Sequence, residues 1–400
     1  MNITRLLISD IAPLYPSLRG GSKRIWNLFA NLSEERFQIN YVGIDFSVKK
    51  RCRVSLLKPN LREYLVPFPL HYYFWYPFQK LFFSDLGLDL FTYFMMPSVR
   101  KFSTLTNNIP ADILVSSHPW VASCIKKKKG QIFVYDAHNC EYLLTKILTN
   151  GKILGKQISK LVKKIEFEAC QKSHAILVCS QQQKFEFIEL YKVDKNKVYV
   201  IPNGAVIKED ITEKEKQKAK NNLGLEGRKI IFFVGVYYKP NIEAVNFIIK
   251  ELSCKLKECI FLIAGSVNRA FKEKGIPSNI QFLGLVDEKK MDICFKATDI
   301  AINPIFSGSG VNIKLLDYLS YGLPVVTTAF GSRGVKINNE KEALICHDQN
   351  FPAAIKKVFE DKDLAFSLSR EGKRFVVDNY DWRIISKELE KVLLQLNQSK

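Results

Sequence analysis

The sequence predicts an α/β protein built from two parallel-sheet units, and three observations lead there. The chain is 400 residues long, more than one ordinary domain holds, so two or three are expected. Short apolar runs alternate with longer amphipathic segments, the pattern of parallel strands wrapped by helices. That alternation then restarts, with a boundary near 204–212. Hydrophobic residues make up 47% of the chain, which suffices for two large cores and argues against wholesale disorder.

In the first half, TRLLISDI (4–11) is a short apolar run stopped by Asp10, a buried first strand and not a signal peptide. RFQINYVGID (36–45), DILVSS (112–117), IFVYDA (132–137), AILVCS (175–180) and VYVIP (198–202) follow as strands. The amphipathic stretches 22–35 and 158–173 are the helices between them. One stretch breaks the alternation: 64–97, YLVPFPLHYYFWYPFQKLFFSDLGLDLFTYFMMP, heavy in aromatics and proline. No uncharged apolar run reaches the roughly 18 residues of a membrane-spanning helix.

The polar segment 212–229 reads either as a helix entering the second unit or as an exposed linker. Strands are then expected at 230–236, 259–265, 280–286, 300–305, 324–328 and 343–347. Helices are expected near 241–257, 288–297 and 311–321. Paired sheets of this kind leave a cleft, the usual place for a ligand.

Nine scattered cysteines without a CxxC pair fit a reduced cytoplasmic setting and no zinc site. The net charge is +20, and it is uneven. Residues 1–200 hold 29 Lys and Arg against 15 Asp and Glu, and residues 201–400 hold 31 against 25. The first half therefore either meets something acidic, such as anionic lipid, nucleic acid or a phosphorylated substrate, or is simply well solvated. No nucleic-acid module is present, and the aromatics cluster instead of alternating with basic residues.

The most specific stretch is NPIFSGSGVNIKLLDYLSYGLPVV, 303–326. Gly308-Ser309-Gly310 lets backbone approach a ligand closely. The helix expected after it offers free N–H groups and a dipole that favour an anion, typically phosphate. Lys314 adds a point charge suited to a diphosphate. Asp317, on the same face, suits a hydrogen-bond donor such as a ribose diol. The plainer reading is a glycine loop capping a helix that carries surface charges.

The composite resembles the nucleotide-sugar-binding signature of the family-4 (group 1) glycosyltransferases of the GT-B fold. Their loop–helix segment reads approximately G-x-G-x-x-x-K-x-x-E, then a small residue and G-x-P-V-V. Here it stands as Gly308, Gly310, Lys314, Asp317, Gly322, Pro324, Val325 and Val326. Many members carry two glutamates eight positions apart, where this chain has Ser309 and Asp317. Further segments resemble the family in order: PSLRGGSKR (16–24), VYDAHNCE (134–141), AILVCS (175–180), VYVIPNGAV (198–206), IIFFVGVYYKPNIEAV (230–245) and YDWRIISKELEKVLLQL (380–396).

The resemblance implies two Rossmann-like α/β/α domains facing across a cleft. They are an acceptor-side domain over 1–206 and a nucleotide-sugar domain over 207–378, with a helix over 379–400 packing back on the first. It implies donor phosphates held by Gly235, Lys239, Gly308, Ser309 and Gly310, and by Gly20 and Gly21 with Lys23 and Arg24 near the same anion. His118 would contact the transferred sugar, with His138 as second candidate, and Lys314 and Asp317 complete the catalytic set. Asp136 and Glu141, the nearby carboxylates, are read as structural, with contact to the acceptor as the alternative. The implied reaction is retaining transfer from a nucleoside diphosphate sugar to an acceptor hydroxyl, with no cofactor and no metal required. The acceptor would be a glycan or lipid-linked glycan in cell-surface polysaccharide, lipopolysaccharide or glycolipid synthesis. The aromatic stretch, Lys126–Lys129 and the lysines of 152–172 add an expectation of peripheral contact with an anionic membrane at its inner, cytoplasmic face. The competing readings are a nucleotide-sugar 2-epimerase of the same fold and a basic nucleic-acid- or membrane-binding protein without catalysis.

Overall fold

The structure is a computed structural model and describes residues 3–16, 20–46, 51–68, 90, 93–94, 96, 99–152, 154–272, 275–308 and 310–398. The chain divides into two compact units, Met1–Asn203 with Trp382–Lys400, and Gly204–Asp381.

The first unit is built on β1 (Thr4–Ser9), β2 (Phe37–Asp45), β3 (Arg53–Lys58), β4 (Leu61–Pro67), β5 (Ile113–Ser117), β6 (Ile132–Ala137), β7 (Ala175–Val178) and β8 (Val198–Val200). They form one sheet in the order β3-β4-β2-β1-β5-β6-β7-β8. All pairings are parallel except the β3–β4 hairpin. β1 lies between β2 and β5, so the strand order reverses there and the β1 and β5 ends flank a crevice. β6 is buried along its whole length, as a parallel strand covered on both faces must be. Around the sheet run α1 (Gly20–Phe29), α2 (Arg100–Asn108), α3 (Glu141–Leu148), α4 (Gly155–Lys172) and α5 (Gln181–Tyr191).

The stretch expected as an aromatic insertion from Tyr64 begins differently. Tyr64–Pro67 closes β4, which pairs in parallel with β2. Leu61, Glu63 and Leu65 are its buried alternate positions. The buried Glu63 carboxylate accepts from the amides of Leu14 (2.8 Å) and Tyr15 (3.3 Å), and its presence at a core position hid the strand. Residues 69–89, 91–92, 95 and 97–98 of that stretch lie outside the described residues.

The N-terminus of α3 is capped across the fold. The Glu166 carboxylate on α4 accepts from the amides of Glu141 (2.9 Å) and Tyr142 (3.0 Å) and from the hydroxyls of Tyr135 (3.0 Å) and Tyr191. Those donors make its burial tolerable, since a buried carboxylate must be fully hydrogen-bonded. Burial still raises the carboxyl above its ordinary range.

The second unit opens with α6 (Glu213–Asn222), so the polar segment is a helix and not a linker. Thr212 and Glu215 form a capping box that fixes its start. Lys216 and Lys220 anchor it to Asp299 at 2.7 and 2.8 Å. The sheet comprises β9 (Lys229–Val234), β10 (Cys259–Ala264), β11 (Ile280–Gly284), β12 (Ile300–Asn303), β13 (Val325–Thr327) and β14 (Leu344–Ile345), all parallel, in the order β11-β10-β9-β12-β13-β14. Its helices are α7 (Lys239–Phe247), α8 (Glu288–Ala297), α9 (Ile313–Ser320), α10 (Phe351–Glu360) and α11 (Lys362–Tyr380).

The last helix, α12 (Trp382–Gln398), belongs to the first unit, as the resemblance implies. Ile385, Leu389 and Leu393 are buried, and the Ser386 hydroxyl donates to the Leu28 carbonyl (2.8 Å) at the end of α1. Among the described residues no helix is long and apolar enough to cross a membrane. No group of three His, Cys, Asp or Glu among them is placed to hold a metal ion. All nine cysteines are free thiols.

Candidate functional site

In the second unit the strand order reverses between β9 and β12, and the loops leaving these two strands carry most of the expected residues. β9 runs out into Gly235, where a Cβ would stand 3.0 Å from Asn241 Cβ. Gly265, with φ 96°, lies against it: a Cβ there would be 2.2 Å from the Gly235 carbonyl oxygen. On the β12 side, Gly308 and Gly310 have φ of 112° and 75°, the left-handed region that only glycine enters freely. A Cβ on Gly308 would also meet Pro240 Cγ at 2.8 Å. Both glycines are therefore required by the turn itself. Ser309 lies outside the described residues.

Lys314 projects from the first turn of α9. Its ammonium donates to Asn241 Oδ1 (2.6 Å) and sits 4.3 Å from the centroid of the Phe233 ring. Both neighbours are neutral. Burial lowers the ammonium to about 7, because nothing there repays the lost hydration of a cation. Such a group favours the arrival of an anion. Lys239, the first residue of α7, is exposed, and its ammonium lies 4.0 Å from Glu243 Oε1. The other Glu243 oxygen accepts from Ser307, next to Gly308. Asp317 is one turn beyond Lys314 on α9. After burial, its charge adds to the raising of the Tyr318 phenol, whose oxygen accepts from the Val234 amide (3.0 Å).

Arg333, in the β13–β14 connection, was not among the expected residues. Its Nε donates to the Gly310 carbonyl (2.9 Å) and its Nη1 to the Gly308 carbonyl (2.8 Å). The guanidinium carbon is 4.0 Å from the centroid of the Phe330 ring. Its one sequence signal is an arginine set between glycines in FGSRG (330–334).

In the first unit, His118 follows β5 with φ 66° and ψ 157°. That region is essentially glycine-only, and a histidine there stores strain that its surroundings must hold. The His118 amide donates to the Asp136 carbonyl (3.2 Å), and the Ser116 hydroxyl donates to the His118 carbonyl (2.9 Å). The His118 ring Nδ1 meets Asp10 Oδ1 at 3.0 Å. His138 stands beside it with Nε2 2.9 Å from Asp136 Oδ2. Burial alone would raise Asp136, but Arg24 and His138 overcome it and hold the carboxylate well below the usual range. An ionised Asp136 makes His138 Nε2 the protonated nitrogen and leaves Nδ1 as the lone-pair atom. Nδ1 is buried and has no hydrogen-bond partner among the described residues.

Gly21, in the first turn of α1, packs on this pair: a Cβ would lie 3.1 Å from His118 Cε1 and 3.1 Å from His138 Nδ1. Gly20 has open space around it. Arg24 corrects an expectation. It does not stand beside an anion with Lys23, which is exposed. It is 2% exposed and bonds Asp136 Oδ1 (2.9 Å), the Pro202 carbonyl (3.1 Å) and Asn203 Oδ1 (3.1 Å). A buried guanidinium needs such a carboxylate and such acceptors. The expected residues thus fall into two groups, Gly21 and His118 in the first unit and Gly235, Lys239, Gly308, Gly310, Lys314 and Asp317 in the second.

Solved structures share this fold. Sucrose-phosphate synthase from Thermosynechococcus elongatus aligns with a TM-score of 0.78 at 13% identity, over 99% of this chain and 100% of that one. HepE of Anabaena, solved with UDP and glucose, aligns with a TM-score of 0.69 at 13% identity, over 98% and 100%. The fold is GT-B. Residues 228–361 match the family model described as Glycosyl transferases group 1, and residues 49–208 match Glycosyltransferase Family 4. The chain belongs to the group 1, family 4 glycosyltransferases. An uncharacterized glycosyltransferase of Methanocaldococcus jannaschii is 28% identical over 256 residues, 60% of this chain and 62% of that protein. The match thus spans less than two thirds of that relative's length.

Proposed function

We propose that this protein moves a sugar from a nucleoside diphosphate sugar to an acceptor hydroxyl, with retention at the anomeric carbon. The observation that carries the reading is the Lys314 ammonium, half-buried among neutral partners beside two left-handed glycines at the strand-order reversal. A pyrophosphate supplies the charge that this ammonium lacks, and the amides of the 308–310 loop and of the α9 N-terminus supply donors. Lys239 and Gly235 extend that cradle, and Asp317 accepts from the ribose. Exposed Val236 and Tyr237 after β9, and Leu285 after β11, offer an apolar rest for a nucleobase. The UDP bound to HepE supports a uridine nucleotide.

His118 is the proposed contact to the transferred sugar, stabilising charge by hydrogen bonding. Gly20 and Gly21 are the proposed further donors to the leaving phosphate. That phosphate accepts the acceptor's proton in a front-face displacement, with no metal involved. The acceptor is a glycan or lipid-linked glycan of cell-surface polysaccharide, lipopolysaccharide or glycolipid synthesis. Exposed Leu154 and Phe167 stand among exposed Lys156, Lys160 and Lys164 on and beside α4. They support peripheral contact of a cytoplasmic protein with the inner face of an anionic membrane.

A thermal-shift panel of UDP-, GDP-, ADP- and TDP-sugars tests the donor assignment, since a ligand that binds only the folded state raises Tm by mass action. One nucleotide series should stabilise the parent and leave Lys314→Ala unmoved. No shift with any of the four rejects the donor site. Co-sedimentation with vesicles tests the membrane contact: binding should require anionic lipid and weaken with salt.

A further inference from the structure

The 308–310 loop faces a difficulty that its glycines create. Glycine samples many backbone conformations when unrestrained, so a glycine turn must be held if it is to meet an anion in one shape. Its carbonyl oxygens also carry partial negative charge and would repel a diphosphate if they swung toward it. The β13–β14 connection meets both needs. The Thr328 hydroxyl bonds the Ile305 carbonyl and accepts from the Gly331 amide (2.8 Å). The Gly331 carbonyl accepts from Asn303 Nδ2 (2.9 Å), which precedes the glycine loop, and from Asn312 Nδ2 (3.0 Å), which follows it. Arg333 leaves this docked turn, rests on Phe330, and donates to the carbonyls on either side of Ser309.

We propose that Arg333 is a positioning residue for the anion-binding loop: its planar guanidinium ties down the Gly308 and Gly310 carbonyls and so presents the loop's amides to a diphosphate. The inference rests on the reading that this loop binds the donor pyrophosphate. It differs from a direct charge contact in what the side chain must be. Two carbonyls reached from Nε and Nη1 require the rigid fork of arginine; a lysine ammonium of equal charge does not span them in the same way.

The test uses inorganic pyrophosphate and the full chain, with binding measured by calorimetry for the parent, Arg333→Lys and Arg333→Ala. Both variants should melt close to the parent and bind pyrophosphate at least about tenfold more weakly. Guanidinium at tens of millimolar should restore binding to Arg333→Ala, while sodium chloride at equal ionic strength should not. Parent-like binding by either variant overturns the proposal, as does loss of binding in Arg333→Ala that guanidinium leaves unchanged. A parent that binds no pyrophosphate instead refutes the donor-site reading beneath it, so the two failures are told apart.

Discussion

The rings of His118 and His138 lie with centroids 4.1 Å apart, and each is tied to its own buried aspartate, Asp10 and Asp136. Asp136 in turn is fixed by Arg24, whose other bonds reach Pro202 and Asn203. One connected set of polar groups therefore links the ends of β1, β5 and β6 with the chain after β8. Asp10, Arg24, Asp136 and Asn203 are buried, so removing one member of the set leaves a buried polar group without its partner.

His118 occupies backbone that costs a non-glycine residue about 1–3 kcal/mol. His118→Gly and His118→Ala both remove the imidazole, and only the first relieves the backbone. His118→Gly should be the more stable of the two by about that amount in urea unfolding, against the usual penalty for glycine. Equal stabilities would mean that the backbone is unstrained.

Burial, then the neighbouring His118, lowers His138 to about 4 from an ordinary 6.5. Between pH 6.5 and 4 the unfolded chain binds a proton that the folded chain refuses, so this residue's stability is present above 6.5 and lost as pH falls toward 4. The parent should lose about 2–3 kcal/mol from this group across that window. His138→Asn should flatten that part of the profile. Urea midpoints at pH 4.5, 5.5, 6.5 and 7.5 read the difference, and parallel profiles would contradict it.

Lys314, at about 7, is largely neutral at pH 8. A bound diphosphate stabilises its charged form, so binding at pH 8 should take up close to one proton, ~1 per site. Calorimetry in two buffers of different ionisation enthalpy measures that number, and Lys314→Met should abolish it. The linkage also runs through folding. Between pH 7 and 10.5 the unfolded lysine holds a proton that the folded one gives up, so parent stability from this group rises with pH. Lys314→Met should therefore be more stable than the parent at pH 7.5, by a margin that shrinks toward pH 10. Turnover should fall by about 10²–10³ in Lys314→Ala.

Gly331 and Gly20 should respond oppositely to alanine. A Cβ on Gly331 would be 2.5 Å from Thr327 Oγ1 and 2.6 Å from the Asn303 carbonyl oxygen, and the latter is backbone that cannot step aside. Gly331→Ala should cost about 1–3 kcal/mol. Gly20 opens α1 with nothing within 4 Å, so Gly20→Ala should gain about 0.4–1 kcal/mol. Thermal melts of the two variants decide both.

Strands such as β5, β6, β9 and β10 were legible because each is a continuous apolar run buried on both faces. β4 was not, because Glu63 stands at a core position and breaks the alternation that marks a strand. α3 and α5 were likewise missed. The start of α3 depends on Glu166, 25 residues downstream, and α5 (QQQKFEFIELY) shows little apolar periodicity. In the site, Gly308, Gly310 and Lys314 share one local stretch and could be read together. The pairing of Arg24 with Asp136 spans 112 residues, and that of Arg333 with Gly308 spans 25 with no periodic pattern between them. Local spacing carries neither of these contacts; the sheet order creates them.

Because α12 completes the unit that the N-terminus begins, the order of synthesis and the order of completion are reversed. Residues 204–381 are all synthesised before α1 gains the face formed by Ile385, Leu389 and Leu393. The half translated first must wait, with an apolar flank of α1 uncovered, until the final seventeen-residue helix emerges. A released chain truncated after Asp381 should thus yield a protease-resistant second half and a still-labile first.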